Sequence, residues 1–275
     1  MAKEYLLSSV HVHSKLCDGK NTPEELAVTA WKQGLQTLGF SGHSHTPHDI
    51  EYCMTNARTQ LYRAQVAKLK ERYAGKLDIL CGLEWDLLSD DDPAAYDYWI
   101  GSTHYVQGPR TGKYYEIDWR EADLAACIQE DFDGDGLAVV EAYFANVAAV
   151  AAKEPTILGH FDLIKKVNAG NKFFDENDER YTAAADKALR TAAEHRCVLE
   201  VNTGAVYRGF RKDFFPSPAL LKDWLALGGD VVITADAHDA RALTFGFEEA
   251  AAQLRELGYQ RVLVLGRDGL VPAAL

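Results

Sequence analysis

Short apolar, β-rich runs recur along the chain between longer stretches whose apolar residues fall at helical spacing, an arrangement that folds as a parallel sheet with helices packed outside it. The runs predicted as strands are Tyr5 to His13, Thr37 to Gly42, Leu77 to Glu84, Tyr98 to Tyr105, Thr156 to His160, Cys197 to Asn202, Asp230 to Ala235 and Arg261 to Leu265. Helices fill the intervals. Thr22, Pro23, Glu24 and Glu25 read as an N-cap, a first-turn proline and acidic residues suited to the helix dipole, opening a helix that runs to Gly34. Ser217 and Pro218 start a similar stretch ending at Gly228-Gly229, Ala183 to His195 and Arg241 to Leu257 carry apolar residues at helical spacing, and the Ala-rich segment Leu137 to Lys153 is a good helix former. About seven or eight βα units, with no fixed-period repeat and no low-complexity linker, predict a single α/β domain over residues 1-275. A TIM-like barrel or a distorted relative is expected, with the doubly wound open sheet as its rival.

Composition narrows the function classes. A chain of 275 residues that is 47% hydrophobic can bury one substantial core. Its formal net charge of −12, with no long Lys/Arg stripe, argues against a nucleic-acid partner and toward a small substrate. No apolar run reaches the roughly 18 residues of a membrane span, and Met1-Ala2-Lys3-Glu4-Tyr5 has no signal-peptide pattern, so a cytoplasmic protein without a membrane partner is expected. The five cysteines, Cys17, Cys53, Cys81, Cys127 and Cys197, are odd in number and include no C-x-x-C pair, so neither a disulfide framework nor a thiolate zinc knuckle is indicated. The oligomeric state is not legible.

Chemistry enters with the histidines. Of nine in the chain, His11, His13, His43, His104, His160 and His238 fall at or just past the end of a predicted strand, and in a barrel those ends share one rim. Glu84 ends another strand, Asp236 precedes His238 by two residues, and Asp18 follows the first strand closely. Any one of these has an ordinary explanation as a turn residue, a cap or a buried polar group. Together they do not, because the polar faces of the helices hold only one histidine, His195. His11 and His13, two apart on an extended strand, point the same way and suit one ion. Imidazoles and carboxylates together favour zinc, manganese or iron, and so many ligands imply two or three divalent transition-metal ions, with a carboxylate such as Glu84 bridging. Asp131-Phe132-Asp133-Gly134-Asp135-Gly136 opens like an EF-hand loop, but its twelfth position is Ala142, so it reads as an acidic turn. His45 and His48, after His43, read equally well as proton shuttles, as substrate contacts or as solvated loop residues.

His11-Val12-His13 with Asp18-Gly19, the strand ending at His43, Gly82-Leu83-Glu84, Ile100-Gly101-Ser102-Thr103-His104, Gly159-His160-Phe161-Asp162 and Asp236-Ala237-His238 resemble the motifs of the polymerase and histidinol phosphatase (PHP) family. Gly159 to Lys166, Leu199-Glu200-Val201-Asn202-Thr203, Phe215-Pro216-Ser217-Pro218 and Phe245 to Ala250 are most similar to its stand-alone histidinol-phosphate phosphatases. The resemblance implies a distorted (β/α)7 TIM-like barrel with a trinuclear metal centre, which would leave the eighth predicted strand outside. It also implies that His11, His13, Glu84 and Asp236 hold one ion, that Glu84 bridges to a second held by His104 and His160, and that Asp18, His43 and His238 hold the third. Two positions depart from the family: Asp18, where many relatives have histidine, and Ser41-Gly42, where relatives often place an acidic residue.

The implied activity is that of a phosphomonoesterase on L-histidinol phosphate, in histidine biosynthesis, with another small phosphate ester such as a nucleotide or phosphotyrosine as the alternative. The metals would bind the phosphate oxygens, neutralise charge built up in the transition state and direct a bridging hydroxide in line at phosphorus, with Glu84 and Asp236 counted as catalytic residues through the metals they hold. Arg208 is the candidate phosphate clamp. Asp162 or His45 would protonate the leaving alkoxide, and Glu200, Asn202, Asp162, Tyr207 and Tyr105 are candidate partners for the rest of the substrate. An amidohydrolase-type site also starts from His-x-His but typically ends on a lone aspartate rather than Asp236-x-His238.

Overall fold

The computed structural model describes residues 3–49 and 51–275; Met1, Ala2 and Ile50 lie outside the described residues. Strand and helix alternate as the hydrophobic pattern predicts. The first half runs β1 (Ser8–Ser9), α1 (Pro23–Lys32), β2 (Thr37–Phe40), α2 (Asn56–Arg72), β3 (Asp78–Asp86) and β4 (Tyr98–Ser102). A small hairpin follows, β5 (Tyr105–Gln107) with β6 (Tyr114–Glu116), then α3 (Glu121–Asp131) and α4 (Gly136–Ala151). The remainder is β7 (Ile157–Leu158), α5 (Glu179–Glu194), β8 (Leu199–Asn202), the short α6 (Gly204–Tyr207), α7 (Pro218–Ala226), β9 (Val231–Thr234), α8 (Phe247–Leu257) and a hairpin of β10 (Arg261–Gly266) with β11 (Gly269–Ala274).

Local chemistry sets the helix ends. Thr22 accepts a hydrogen bond from Glu25 N while the Glu25 carboxylate accepts from Thr22 N, a reciprocal cap that starts α1 with Pro23 in its first turn. The helix stops at Lys32, two residues short of Gly34, which takes the left-handed conformation just beyond it. Asp135 caps α4 through Leu137 N and Ala138 N, while the Asp131 carboxylate accepts from Arg110 N and Thr111 N of the β5–β6 loop, so the acidic segment is a turn whose carboxylates bind main-chain donors. No single helix among the described residues is long and apolar enough to cross a membrane.

One sheet carries the order β1-β2-β3-β4-β7-β8-β9-β10-β11. Neighbours are parallel from β1 through β10, and only β11 runs back against β10. Every residue of β2, β8 and β9 is buried, as expected of parallel strands covered on both faces. Beyond β1 and β9 the chain stays extended, and His13 N donates to Ala237 O at 2.9 Å while Ala237 N donates to His11 O at 2.8 Å. Those two bonds join the first strand to the seventh at the rim. Lower down, no continuous ladder among the described residues closes the sheet. There β10 lies beside β9, paired at Leu263 and Val232, and Ser8 Oγ donates to Leu265 O at 2.7 Å. The result is a distorted seven-stranded barrel with the β10–β11 hairpin outside it.

Several predicted elements are cut short, among them the run Thr156 to His160, which pairs only at Ile157–Leu158. The run Tyr5 to His13 pairs as a strand only at Ser8–Ser9, because Glu4–Leu6 winds into a 3₁₀ turn. The run Tyr98 to Tyr105 breaks after Ser102, where Asp86 accepts a hydrogen bond from His104 N and draws the chain off the sheet into the β5–β6 hairpin. The stretch Arg241 to Leu257 is interrupted at Gly246, whose positive φ of 73° ends one turn and starts α8.

Candidate metal centre

The strand ends that meet at the rim bring the nine histidine and carboxylate candidates onto one floor. His11 and His13 are fully buried with ring centroids 5.2 Å apart, and the main-chain bonds to Ala237 hold them beside Asp236. Asp236 occupies left-handed backbone space at φ 45°, and its Oδ1 lies 3.6 Å from His11 Nε2 and 3.2 Å from His13 Nε2. Glu84 sits at the centre. Its Oε2 is 3.3 Å from His11 Nε2, 3.3 Å from His13 Nε2 and 3.0 Å from His43 Nδ1, and its Oε1 is 2.9 Å from His160 Nε2 and 3.4 Å from His104 Nε2. Asp18 closes the far side, with Oδ2 2.8 Å from His238 Nε2 and 3.7 Å from His43 Nε2. Only glycine fits after it: a β-carbon on Gly19 would stand 2.4 Å from His13 O, so the Asp18 loop could not fold back onto the first strand.

Among the described residues, three donor groups lie within reach of a shared ion: His13, Asp18, His43 and His238; His11, His13 and Asp236; and His43, Glu84 and His104. His160 joins through Glu84. His11 Nε2, His13 Nε2, Asp18 Oδ1 and Glu84 Oε2 are buried without a hydrogen-bond partner. Buried polar atoms ordinarily find partners, so unpaired donors gathered at one floor fit divalent cations, and the imidazole–carboxylate mixture suits transition metals.

Electrostatics agree with that fit. Burial works against charge on His11, yet Glu200, Asp236 and Glu84 push its pKa up to about 10, and burial likewise opposes His43, which Glu84 and Asp18 lift to about 9. Burial also resists ionisation of Glu84, but His43, His11 and His104 hold it well below the usual carboxylate range; Arg208 and His11 do the same for the buried Asp236. Rings that gather protons this way are rings from which a divalent ion displaces protons on binding.

Two carboxylates stand behind this floor. Glu200, fully buried, faces His11 Nδ1 and accepts hydrogen bonds from His160 N at 2.7 Å, Thr234 Oγ1 at 2.6 Å and Asn202 Nδ2 at 3.0 Å. Asp86 accepts from His104 N at 2.9 Å and lies 3.3 Å from His104 Nδ1. Such partners fix ring orientation and tautomer.

Above the floor opens a cavity of about 200 Å³. Arg208 lines it, with Nη2 2.9 Å from Asp236 Oδ2 and Nη1 donating to Asp236 O. Glu84 and Asp236 line it as well, whereas the remaining predicted catalytic and substrate contacts do not. Glu200 and Asn202 lie beneath the histidines, and Asn202 Oδ1 accepts from Gly204 N. Asp162 is fully buried, paired with Lys165 at 2.9 Å and accepting from Ser217 N, so it anchors the turn after β7. The His45 ring is held by Asp90 and its main-chain N–H donates to Asp91, and the residue does not line the opening. The Tyr105 hydroxyl is taken up by Asp49 and Tyr52, and Tyr207 packs edge-on against Phe245. Tyr52, Asp118, Trp119, Lys166 and Phe210, unremarked from sequence as contacts, line the cavity instead. Lys166 alone had a signal, since it ends the Gly159 to Lys166 motif. Cys17 Sγ is buried 3.6 Å from His13 Nδ1.

Known proteins resemble this chain in sequence and in fold. A PHP domain model matches residues 9–204. The chain is 27% identical over 271 residues to a protein of Deinococcus radiodurans named "probable histidinol-phosphatase", covering 93% of this chain and 95% of that one. It is 24% identical over 263 residues to histidinol-phosphatase of Bacillus subtilis, covering 86% and 96%. The crystal structure of histidinol phosphate phosphatase from Lactococcus lactis, complexed with zinc, L-histidinol and phosphate, superposes with a TM-score of 0.73 at 17% identity, covering 96% of this chain and 98% of that one.

Proposed function

The chain belongs to the PHP domain family, and on that premise we propose that it is a metal-dependent phosphomonoesterase that hydrolyses L-histidinol phosphate to L-histidinol and phosphate. The observation that carries the reading is Glu84, one buried carboxylate facing five imidazoles on the floor of a cavity that also holds Arg208. The names of two relatives that match over nearly their whole length supply the substrate. The reaction belongs to histidine biosynthesis in this reading. Five free cysteines are compatible with a reducing, cytoplasmic compartment.

Two or three divalent ions, zinc, manganese or iron, would be held by His11, His13, Asp18, His43, Glu84, His104, His160, Asp236 and His238. When bound they supply Lewis-acid stabilisation at phosphorus and a water acidic enough to attack near neutral pH. The chain's own residues do the rest. Glu84 and Asp236 supply ionised carboxylates that would draw cations to the floor, and those cations in turn would draw the phosphate. Arg208, fixed by Asp236, offers its remaining N–H groups to a phosphate oxygen. Glu200 and Asp86 hold His11 and His104 in single orientations, which keeps the floor preorganised as charge builds on the phosphoryl group.

Phosphate release from L-histidinol phosphate, beside a panel of nucleotides, sugar phosphates and phosphotyrosine with added Mn²⁺ or Zn²⁺, tests the assignment. A kcat/KM higher by orders of magnitude for histidinol phosphate is expected. Turnover of another ester while histidinol phosphate is ignored would overturn the substrate and leave the phosphoesterase.

A further inference from the structure

The two oxygens of Glu84 are not equivalent. Oε2 faces His11, His13 and His43 and is buried without a hydrogen-bond partner, whereas Oε1 faces His104 and His160 and also accepts a hydrogen bond from Ser102 Oγ at 2.8 Å. Strand geometry makes that last contact. Glu84 pairs with Ile100 and Asp86 with Ser102, so alternation sets Glu84 and Ser102 on the same face of neighbouring parallel strands, with Ser102 one step nearer the rim. Ser102 is buried, and Gly159, just past the end of β7, leaves its hydroxyl room: a β-carbon at Gly159 would stand 2.6 Å from Ser102 Oγ.

A glutamate does not hold this division unaided. Its terminal torsion is broad, and a turned carboxylate would grip one ion with both oxygens instead of lending one oxygen to each side. The imidazoles around it do not prevent the turn, because a ring nitrogen that binds an ion carries no proton to donate. The Ser102 hydroxyl keeps its proton whether or not ions are bound. We propose that Ser102 is a positioning residue of the floor, fixing the Glu84 carboxylate so that Oε2 serves an ion at His11, His13 and Asp236 while Oε1 serves an ion at His104 and His160. The proposal rests on the multinuclear reading and adds to it a residue that is not itself a ligand. It also accounts for two small residues that the ligand set leaves unexplained, the serine of Ile100-Gly101-Ser102-Thr103-His104 and the glycine before His160.

The test loads chelator-stripped protein stepwise with Mn²⁺, following affinity by competition with a chromophoric chelator and the bound ions by electron paramagnetic resonance. Manganese ions joined by one carboxylate couple magnetically, so the spectrum reports the bridge and not merely occupancy. The wild type is expected to show a coupled signal that grows with the second equivalent. Ser102→Ala is expected to hold its first ion as tightly as the wild type and to bind the second roughly ten- to a hundredfold more weakly, the scale of an outer partner. Its coupled signal is expected to stay weak even at saturation. Ser102→Thr, which keeps the hydroxyl, is expected to retain that signal. An alanine variant that matches the wild type in second-ion affinity and coupling overturns the role of Ser102, and so does loss of the signal in both variants. A wild type that binds several ions without coupling overturns the bridge and the proposal but leaves the phosphoesterase standing. Uptake of a single ion by the wild type sinks the multinuclear reading itself, and the proposal with it.

Discussion

Glu200 reaches no solvent, yet it faces His11 and accepts hydrogen bonds from the main chain of His160 and from two side chains. Its work is to fix the ring that the floor depends on. Replacing it with glutamine keeps the volume but puts an amide where a carboxylate orients His11, and outer partners of this kind are worth roughly ten- to a hundredfold in metal affinity. Glu200→Gln is therefore expected to bind zinc that much more weakly in competition with a chromophoric chelator, and an unchanged affinity would show that His11 needs no such support. Residue type at strand ends was legible in advance, which is why His11, His43, Glu84 and the rest of the floor could be named. The direction of a side chain was not. Glu200, Asn202 and Asp162 sit on or just past strands that do reach the rim, but each points into the protein, where a hydrogen-bond network awaits it. Asp118 and Trp119 gave no warning because the loop that carries them reaches the cavity only through the β5–β6 hairpin.

At the scale of elements, helix α1 shows how much a short motif decides. Thr22 and Glu25 cap each other, Pro23 needs no donor in the first turn, and Leu26, Ala27 and Ala30 bury one face. Thr22→Ala removes the side-chain acceptor and is expected to cost about 1 kcal/mol, read as a lower urea midpoint with an unchanged slope. An unaltered midpoint would mean that packing alone holds the helix start. That cap is readable from four letters, whereas α2 hides its face: Thr59, Tyr62, Val66 and Leu69 are buried at helical spacing within an otherwise charged segment. Strand ends were less legible still, because tertiary bonds set them. The break after Ser102 depends on Asp86, more than a dozen residues earlier, and the extension of the first strand past Ser9 depends on Ala237 near the other end of the chain.

For the whole molecule, closure at the rim joins the fold to its chemistry. The main-chain bonds from His11 and His13 to Ala237 complete the seventh junction of the barrel and set two histidines beside Asp236 in the same step. A seven-stranded outline followed from the alternation of runs and the family resemblance, but the place of the eighth run, paired outside with β11, required the structure. A floor assembled from six strand ends and one loop has no use as a core, since it buries unpaired donors, and cations are what would repay that cost. The most direct measurement is a titration of chelator-stripped protein with Zn²⁺ or Mn²⁺, following phosphate release from L-histidinol phosphate at each step. Stripped protein that is inactive, with activity rising to a plateau at two or three equivalents per chain, is the predicted result; full activity without metal, or a plateau at fewer than two equivalents, would contradict a multinuclear centre.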